Sequence, residues 1–373
     1  MQDFKLSAWD LNTNQLLTEL RWTGEASFNE RINDAGEFSV QLPLMDPGAK
    51  DMTAVILGLG DIPFKMLLTA NNNTIVLYAG IAWKPSLSKS SPNLTIVGKG
   101  LPDYFRMVTM ANDYITTISP VTLIQNVVAD VQAQPGYNIG VATRTQVTST
   151  PLSITPSYPK IQRGTVAQAL SDTVAAITPG TGGVDFYMEH KMVSGAPTHT
   201  MVVAAPRAGQ SSATSKLQLD LATVADFTRD TDNTASGNHL FVVGQGSGGV
   251  QPVIETYAQF PVGGASQPPR LEQVLQFSHI SDVNHLRNLG NGMVQMYGRP
   301  VTVMTVEVPV DYESLPLGSF IVGDDVRVWC QAGLVPQFPS GLNEWWRIIS
   351  YRLQISDSGT AKVSLTLNRP PSF

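Results

Sequence analysis

The chain has 373 residues, 42% of them hydrophobic and 14% charged, and carries a formal net charge of −6. This composition indicates a globular protein of about two to four domains and excludes a disordered one. The acidic balance argues against a basic nucleic-acid-binding face, and the single cysteine, Cys330, excludes an internal disulfide and a cysteine-cluster metal site. With no signal-peptide pattern and no apolar run of roughly 20 residues, we expect no stable membrane insertion.

Residues 1–101 have the pattern of antiparallel β-structure. Phe38, Val40 and Leu42 alternate with polar residues, which is the period of a half-buried strand. Turn-forming residues at 33–36 and 71–73 separate such runs, because Asn, Asp and Gly tolerate the backbone of a tight turn. This stretch therefore predicts a first β-unit.

Composition changes at Pro102, and residues 102–215 predict an α/β segment. Ser119 and Pro120 are an N-cap and a first-turn proline, and apolar residues follow at helical spacing up to a Pro-Gly stop at 135–136. A second amphipathic helix begins near Thr165.

The same segment closes with strands and a connection. Two apolar runs, 184–188 and 199–203, predict a hairpin around Gly195. The small polar residues of 207–215 have a composition typical of a flexible connection.

A second β-unit is predicted over 216–246 and 299–373. A smaller insertion, 247–298, interrupts it with a Gly/Pro/Gln-rich stretch and one helix capped by Ser281. A strand over 301–308 then resumes the β-unit.

The two β-units look like diverged copies of one another, although identities are sparse. The run 22–40 has a counterpart in 224–242, which pairs Phe38 with Leu240. Further along, each element of a second block has an echo near the C-terminus: Gly60-Asp61 in Gly323-Asp324, 81–83 in 348–351, and 94–97 in 363–367. Two half-buried hairpin regions of unrelated origin would also share such a pattern, so the repeat is a hypothesis.

A glycine-rich run matches the dinucleotide-binding fingerprint only formally. Gly244, Gly246 and Gly249 have the right spacing and follow a strand-like run. That motif needs a helix at its third glycine to meet the pyrophosphate, whereas Pro252 arrives at once. We predict a glycine loop that binds no nucleotide.

The remaining reactive residue types form no recognisable site. Cys330 lies in a strand-like run and is predicted to be a small buried residue. No helical metal-ligand spacing or HExxH pattern joins the five histidines: His190, His199, His239, His279 and His285.

Adjacent carboxylates do not form a catalytic pair. Neighbouring side chains of a strand point to opposite faces, so Asp324 and Asp325 cannot readily act together. We predict that they, like Asp230 and Asp232, are turn-forming or solvated. The sequence therefore predicts no catalytic, cofactor-binding or metal-binding residues, and no cofactor.

Both ends of the chain resemble the hub, or minor tail, proteins at the distal end of long-tailed bacteriophage tails. The resemblance rests on Leu20-Arg-Trp-Thr-Gly-Glu-Ala-Ser-Phe-Asn-Glu-Arg31 and Gly36-Glu-Phe-Ser-Val-Gln-Leu-Pro43, and on a closing set of Gly323-Asp-Asp-Val326, Arg347-Ile-Ile349, Ser356-Asp-Ser-Gly359 and Val363-Ser-Leu-Thr-Leu367. Each motif by itself is a common strand-and-turn pattern, but the motifs occur in order over nearly the whole chain.

The resemblance implies a mainly β fold with α/β insertions. Two tail-tube-like antiparallel β-barrels (1–101, and 216–246 with 299–373) would flank an α/β domain (102–215), with a small helix-containing insertion at 247–298. The family role is that of a baseplate hub in the virion tail tip, made in the bacterial host cytoplasm and acting in host attachment and genome ejection.

The resemblance also implies partners and a geometry. A homotrimer of two-barrel chains would present six equivalent faces, joining the hexameric tail tube or distal tail protein to a threefold tip or fibres. Tape-measure protein would be a further partner, and DNA would pass through the channel without specific binding.

Two other functions remain open from the residues. A β-protein that binds cell-surface carbohydrate could use Trp345 and Trp346 as stacking platforms. A wall-degrading glycosidase is the weaker alternative, because no carboxylate pair is placed for it.

Overall fold

The computed structural model describes residues 3–44, 56, 62–71, 73–149, 153–156, 158–175, 183–232, 236–246, 250–258, 269–277, 280, 282–298 and 301–369. Several predicted features lie outside these residues, namely Gly60-Asp61, Gly249, His279, Ser281 and the predicted stop of the second helix. No helix of the described part is long and apolar enough to cross a membrane.

The first part of the chain consists of strands. They are β1 (Phe4–Trp9), β2 (Leu16–Leu20), β3 (Glu25–Arg31), β4 (Glu37–Pro43), β5 (Phe64–Ala70), β6 (Ile75–Ser86) and β7 (Asn93–Gly100).

The second part mixes helices and strands, as predicted. In chain order it contains a 3₁₀ helix (Leu101–Arg106), α1 (Pro120–Gln132), β8 (Val141–Val147), a short 3₁₀ turn (Lys160–Gln162), α2 (Val166–Ala175), β9 (Asp185–Val193) and β10 (Ala196–Ala205).

The last part returns to strands around one helix. Its elements are β11 (Gln218–Asp220), β12 (Asp226–Asp232), β13 (His239–Val243), β14 (Val253–Tyr257), β15 (Glu272–Gln276), α3 (Val283–Tyr297), β16 (Val301–Pro309), β17 (Asp325–Cys330), β18 (Leu342–Ser356) and β19 (Ala361–Asn368).

Strands from both ends of the chain form one sheet. Its order is β12-β16-β19-β18-β3-β4-β7-β6-β5-β1-β2, and β17 adds to β18 and carries β11. The predicted class, mainly β with α/β insertions, is confirmed. Among the described residues the hydrogen-bonded path stays open, so the strands do not close into the barrels that were predicted.

The strand order displays the internal repeat. The series β3-β4-β7-β6-β5 of the first copy matches β12-β16-β19-β18-β17 of the second. Both long strands carry a register shift at the same place, between Ala82 and Lys84 in β6 and between Ile348 and Ser350 in β18. Because a bulge inserts one unpaired residue, the shared position fixes the alignment of the copies.

This alignment corrects one predicted correspondence. Phe38 of β4 matches Met304 of β16, not Leu240. Phe38 pairs with Gly98, which pairs with Ala82 just before the first bulge, and Met304 pairs with Leu367, which pairs with Ile348 just before the second. Leu240 belongs to β13, which pairs with β14 and β15 in a separate small sheet. The insertion therefore begins before β13, whereas residues up to 246 were assigned to the second β-unit.

Two smaller sheets lie outside the repeat. Strand β10 lies between β8 and β9, and the predicted hairpin around Gly195 is present. In the insertion, α3 packs so closely on its sheet that a Cβ at Gly290 would lie 2.8 Å from Thr256. A single apolar core runs through both β-copies and includes Phe28, Phe38 and Trp346.

Candidate functional site

The two copies are joined inside the chain by the edges of β18 and β3. Residues Ser350–Ser356 of β18 pair antiparallel with Glu25–Arg31 of β3, and Leu353 lies opposite Phe28. Both of these side chains are buried. Phe28 also stacks on Phe38 at 6.1 Å and meets Tyr78 at 5.5 Å, so the joint rests on an aromatic core.

The counterparts of these two strand edges are not paired. By the alignment of the copies, β12 corresponds to β3, residue for residue from Asp226 to Asp232. The end of β6 after its bulge, from Lys84 to Ser86, corresponds to the part of β18 that pairs with β3. Among the described strands, β12 pairs only with β16, and this end of β6 pairs only with β7.

Exposure agrees with an unfilled joint. Six of the seven β12 residues are exposed, and Phe227 is half-buried. Leu87 is 52% exposed, whereas its counterpart Leu353 is 1% exposed beneath the existing joint. An unpaired edge with exposed apolar residues is a template for strand addition.

The sheet around the joint has one polar face. Alternate residues of each strand point away from the core, and this face consists mainly of hydroxyl, amide and charged groups: Ser27, Asn29, Ser39, Gln41, Thr95, Thr228, Asp230, Thr305, Glu307, Ser350, Arg352, Gln354, Lys362, Ser364 and Thr366. We call it the polar sheet face.

Most cations on the polar sheet face are neutralised by neighbouring carboxylates. Arg352 lies 3.1 Å from Glu37, and Lys362 lies 3.0 Å from Glu307. Likewise, Arg31 and Lys99 contact Asp34 and Asp103 at 3.2 Å and 3.5 Å. A surface that binds DNA needs free cations to neutralise phosphates. On the described part of this face most cations are paired in this way, but Lys84 of β6, which lies opposite Val97 of β7, has no ion pair among the described residues.

Three parts of the chain meet at the carboxylate of Asp185 on β9. It accepts hydrogen bonds from Arg347 of β18 at 2.5 Å, from Asn33 of the first copy at 2.7 Å, and from the Ala208 amide at 2.8 Å. Its side chain is only 10% exposed. This contact fixes the α/β part against both β-copies.

A second ion pair extends this junction. Arg207 binds Asp325 through both Nη atoms, at 3.1 and 2.6 Å, and Nη2 also donates to the Gly323 carbonyl at 2.6 Å. Gly323 has φ of +102°, and a Cβ there would lie 2.8 Å from the Ala208 carbonyl oxygen. Only glycine fits this turn without strain.

One prediction about this region holds in one of its two alternatives, and another is wrong. Asp324 and Asp325 are buried, not solvated, but Asp324 accepts the amides of Gln210 and Ile321, as a turn-forming residue does. Burial raises the pKa of Asp324. The connection 207–215 is anchored by these bonds, so it is not a flexible tether.

Sequence reasoning missed a buried histidine pair. His190 and His199 lie opposite each other on β9 and β10, with their Nδ1 atoms 3.1 Å apart. Nε2 of His190 lies 3.5 Å from Glu30 of β3. Burial, with His190 and Lys65 nearby, lowers the pKa of His199 well below its usual value. The predicted hairpin register would have placed the two rings together.

Lys65 of β5 is a buried cation close enough to His199 to affect its pKa. Its side chain donates to Asn14 Oδ1 at 2.9 Å, and burial lowers its pKa to about 8. No group of three or more histidine, cysteine or acidic side chains within the described part is arranged to hold a metal ion.

The other sequence candidates have structural positions. Cys330 is buried, as predicted. Trp346 is fully buried with the Arg229 guanidinium 5.6 Å from its ring, so it cannot stack on a carbohydrate, and Trp345 is half-buried. The strand β14, not a helix, follows the glycine run, so the helix that the nucleotide-binding motif needs is not found at 250–257.

Solved structures of tail proteins share this fold. The tail protein from Neisseria meningitidis MC58 superposes with a TM-score of 0.62 at 12% identity, covering 99% of this chain and 96% of that one. The MuSo2 prophage 43 kDa tail protein from Shewanella oneidensis gives 0.59 at 11%, with 100% and 99% covered. Prophage tail protein gp18 from Listeria monocytogenes EGD-e gives 0.54 at 10%, with 99% and 95% covered.

The chain therefore has a fold found in phage tail proteins, which confirms at the level of the fold the resemblance seen in the sequence. Because the likeness covers nearly the whole chain, it includes both β-copies and the parts between them. No protein-family model and no curated protein matches the sequence.

Proposed function

We propose that this protein is a non-enzymatic structural hub at the distal end of a long-tailed phage tail. Three chains form a ring with six β-copies, joining the hexameric tail tube or distal tail protein above to a threefold tip or fibres below. The observation that carries the proposal is the β18·β3 joint together with its unfilled counterpart.

Repetition of the existing joint specifies the contact between chains. If β12 of one chain meets the end of β6 of the next as β3 meets β18, then Lys84 lies opposite Asp232 and Ser86 opposite Asp230. The register follows from Ser350 opposite Arg31 and Arg352 opposite Asn29. Opposite charges then face each other across the new pair, which favours it.

Such a contact uses two different edges and therefore runs head to tail. Head-to-tail contacts generate closed rings when the rotation between neighbours completes a circle. Three chains with two copies each give six equivalent positions, which matches a sixfold tube on one side and a threefold tip on the other. The exposed edges of β12 and of the end of β6, which would otherwise promote aggregation, are then both paired.

The polar sheet face lines the channel in this proposal. It belongs to the strands that continue from copy to copy. Arg352 and Lys362 are paired with carboxylates within the chain, and Lys84 would be paired with Asp232 of the neighbouring chain. DNA would slide along hydroxyl and amide groups without being held.

Mass measurement and imaging of the purified protein with its tail-tube partner test the proposal. We expect a trimer with a central opening and six similar peripheral densities. A protein that remains monomeric with its partner present would contradict the proposal.

A charge exchange provides the matched control. Lys84→Asp and Asp232→Lys should each weaken the ring, because like charges then face each other across the joint, and the double variant should restore it. Neither side chain lies in the apolar core, so each variant should fold as a monomer. Equal weakening in both single variants and the double variant would contradict the register.

A further inference from the structure

One turn of the α/β part exposes an apolar side chain between two cations. Ile161 is 88% exposed in the 3₁₀ turn Lys160–Gln162. Lys160 and Arg163 flank it, both exposed, and neither has an ion pair within the described residues. Arg163 adopts a left-handed backbone with φ of +52°, a conformation that costs energy for a residue other than glycine. We call Lys160, Ile161 and Arg163 the Ile161 tip.

The insertion exposes a complementary surface. One face of its sheet is covered by α3, and on the other face every described side chain except that of Val243 is exposed or half-buried. Cross-strand register arranges the open side as three rows: Tyr257, His239 and Glu272; Glu255, Phe241 and Val274; Val253, Val243 and Gln276. We call this arrangement the open grid. Tyr257, Val274 and Val253 are 62%, 61% and 54% exposed.

The open grid carries an excess of negative charge. Glu255 and Glu272 are 54% and 52% exposed, and both lie next to the same guanidinium, that of Arg270, at 3.7 and 2.6 Å. Glu255 also bonds His239, whose ring stacks on Tyr257. Because this surface is apolar and has two carboxylates but one guanidinium, a complementary partner would have an apolar side chain flanked by positive charges.

We propose that the Ile161 tip of one chain docks on the open grid of the neighbouring chain. Ile161 would contact Phe241 and Val274 while Lys160 and Arg163 approach Glu255 and Glu272. The two surfaces are complementary in charge and both apolar at the centre, as interface cores are. This inference rests on the proposed ring, because a contact between two different patches runs head to tail and closes on itself only when the rotation between neighbours completes a circle.

The alternative of self-association of the open grid is disfavoured by charge. Two grids face to face would bring Glu255 and Glu272 against the same residues of the partner. A carbohydrate or an unrelated protein on the grid would leave the Ile161 tip uncovered. Docking of the tip accounts for both exposed surfaces with one contact.

Disulfide trapping of the full chain tests the proposal. Ile161→Cys and Val274→Cys are surface changes, and the native Cys330 is buried. Disulfides form only when the Cα atoms approach within about 7 Å. After mild oxidation, the double variant should give covalent dimers and trimers, and each single variant should stay monomeric on a denaturing gel.

A second cysteine pair at the proposed strand joint, Ser86→Cys with Asp230→Cys, reports the ring separately. If the joint cross-links and the tip does not, the docking is wrong while the ring stands. A covalent dimer of Val274→Cys alone would show grids facing each other and overturn the docking, as would a bond within one chain. Failure of both cysteine pairs would overturn the ring and the docking together.

Discussion

Arg347 of the second β-copy and Asp185 of the α/β part form an ion pair with 2.5 Å between Nη2 and Oδ2. Since Asp185 also accepts from Asn33 and Ala208, one carboxylate joins both β-copies to the α/β part. The orientation of these parts, on which any ring depends, is therefore set by a nearly buried charge.

Removal of one partner of this ion pair should be costly. Arg347→Met leaves Asp185 charged and largely buried, so we expect a loss of about 3–5 kcal/mol in the free energy of unfolding. The double variant with Asp185→Asn should lose much less than the two single variants combined, because no uncompensated charge remains. Urea unfolding measures these values, and additive losses would contradict the assignment.

The Lys65 ammonium should make stability depend on pH. Its pKa is about 8 in the native state and about 10.5 in the unfolded chain, so the unfolded chain binds more protons between these values. The free energy of unfolding should therefore rise with pH across this window, by about 2 kcal/mol relative to Lys65→Met. Urea unfolding at matched pH values checks this, and parallel curves would contradict it.

His199 should make the stability of the protein depend on pH in the acid range. Its lowered pKa means that the unfolded chain takes up a proton below about pH 6.5 while the native chain does not, so stability should fall as pH decreases. The groups that face it include His190 and Lys65, with Glu30 behind His190. His199→Gln should show a shallower decline, and an unchanged slope would assign the effect to other groups.

Added cations on the polar sheet face should convert it into a DNA-binding surface. Ser39→Arg, Gln41→Arg and Thr95→Arg together place unpaired guanidinium groups next to one another. We expect salt-dependent retention of duplex DNA by the assembled protein, with little retention by the unaltered protein. Filter binding across a salt series measures it. Thr18→Arg on β2, away from this face, is the control.

Local pattern identified most of the strands and helices and the existence of a repeat. It could not align the copies correctly, because the insertion separates β12 from its partner strand β16. The apolar run at Leu240 follows a polar turn, as the partner strand would, but it belongs to β13 of the insertion. The bulges after Ala82 and Ile348 provide the true alignment, and they become visible only through strand pairing.

The order of residues 207–215, which connect the α/β part to the second β-copy, could not be predicted from local sequence either. Residues 207–215 are small and polar, and their order comes from Asp324 and Asp325, more than 100 positions away along the chain. The Trp345-Trp346 pair suggested a surface that stacks on carbohydrate, yet the alternation of side chains along β18 points Trp346 into the core. The His190–His199 contact, by contrast, follows from the predicted hairpin and its turn at Gly195.

The most direct test of the ring is a disulfide between Ser86→Cys and Asp230→Cys. These positions lie opposite each other only if β12 of one chain adds to β6 of the next with the register of the β18·β3 joint. Oxidation of the assembled double variant should give a covalent trimer on a denaturing gel, and each single variant should remain a monomer. A double variant that forms only monomers, in the presence of its tail-tube partner, would contradict the account.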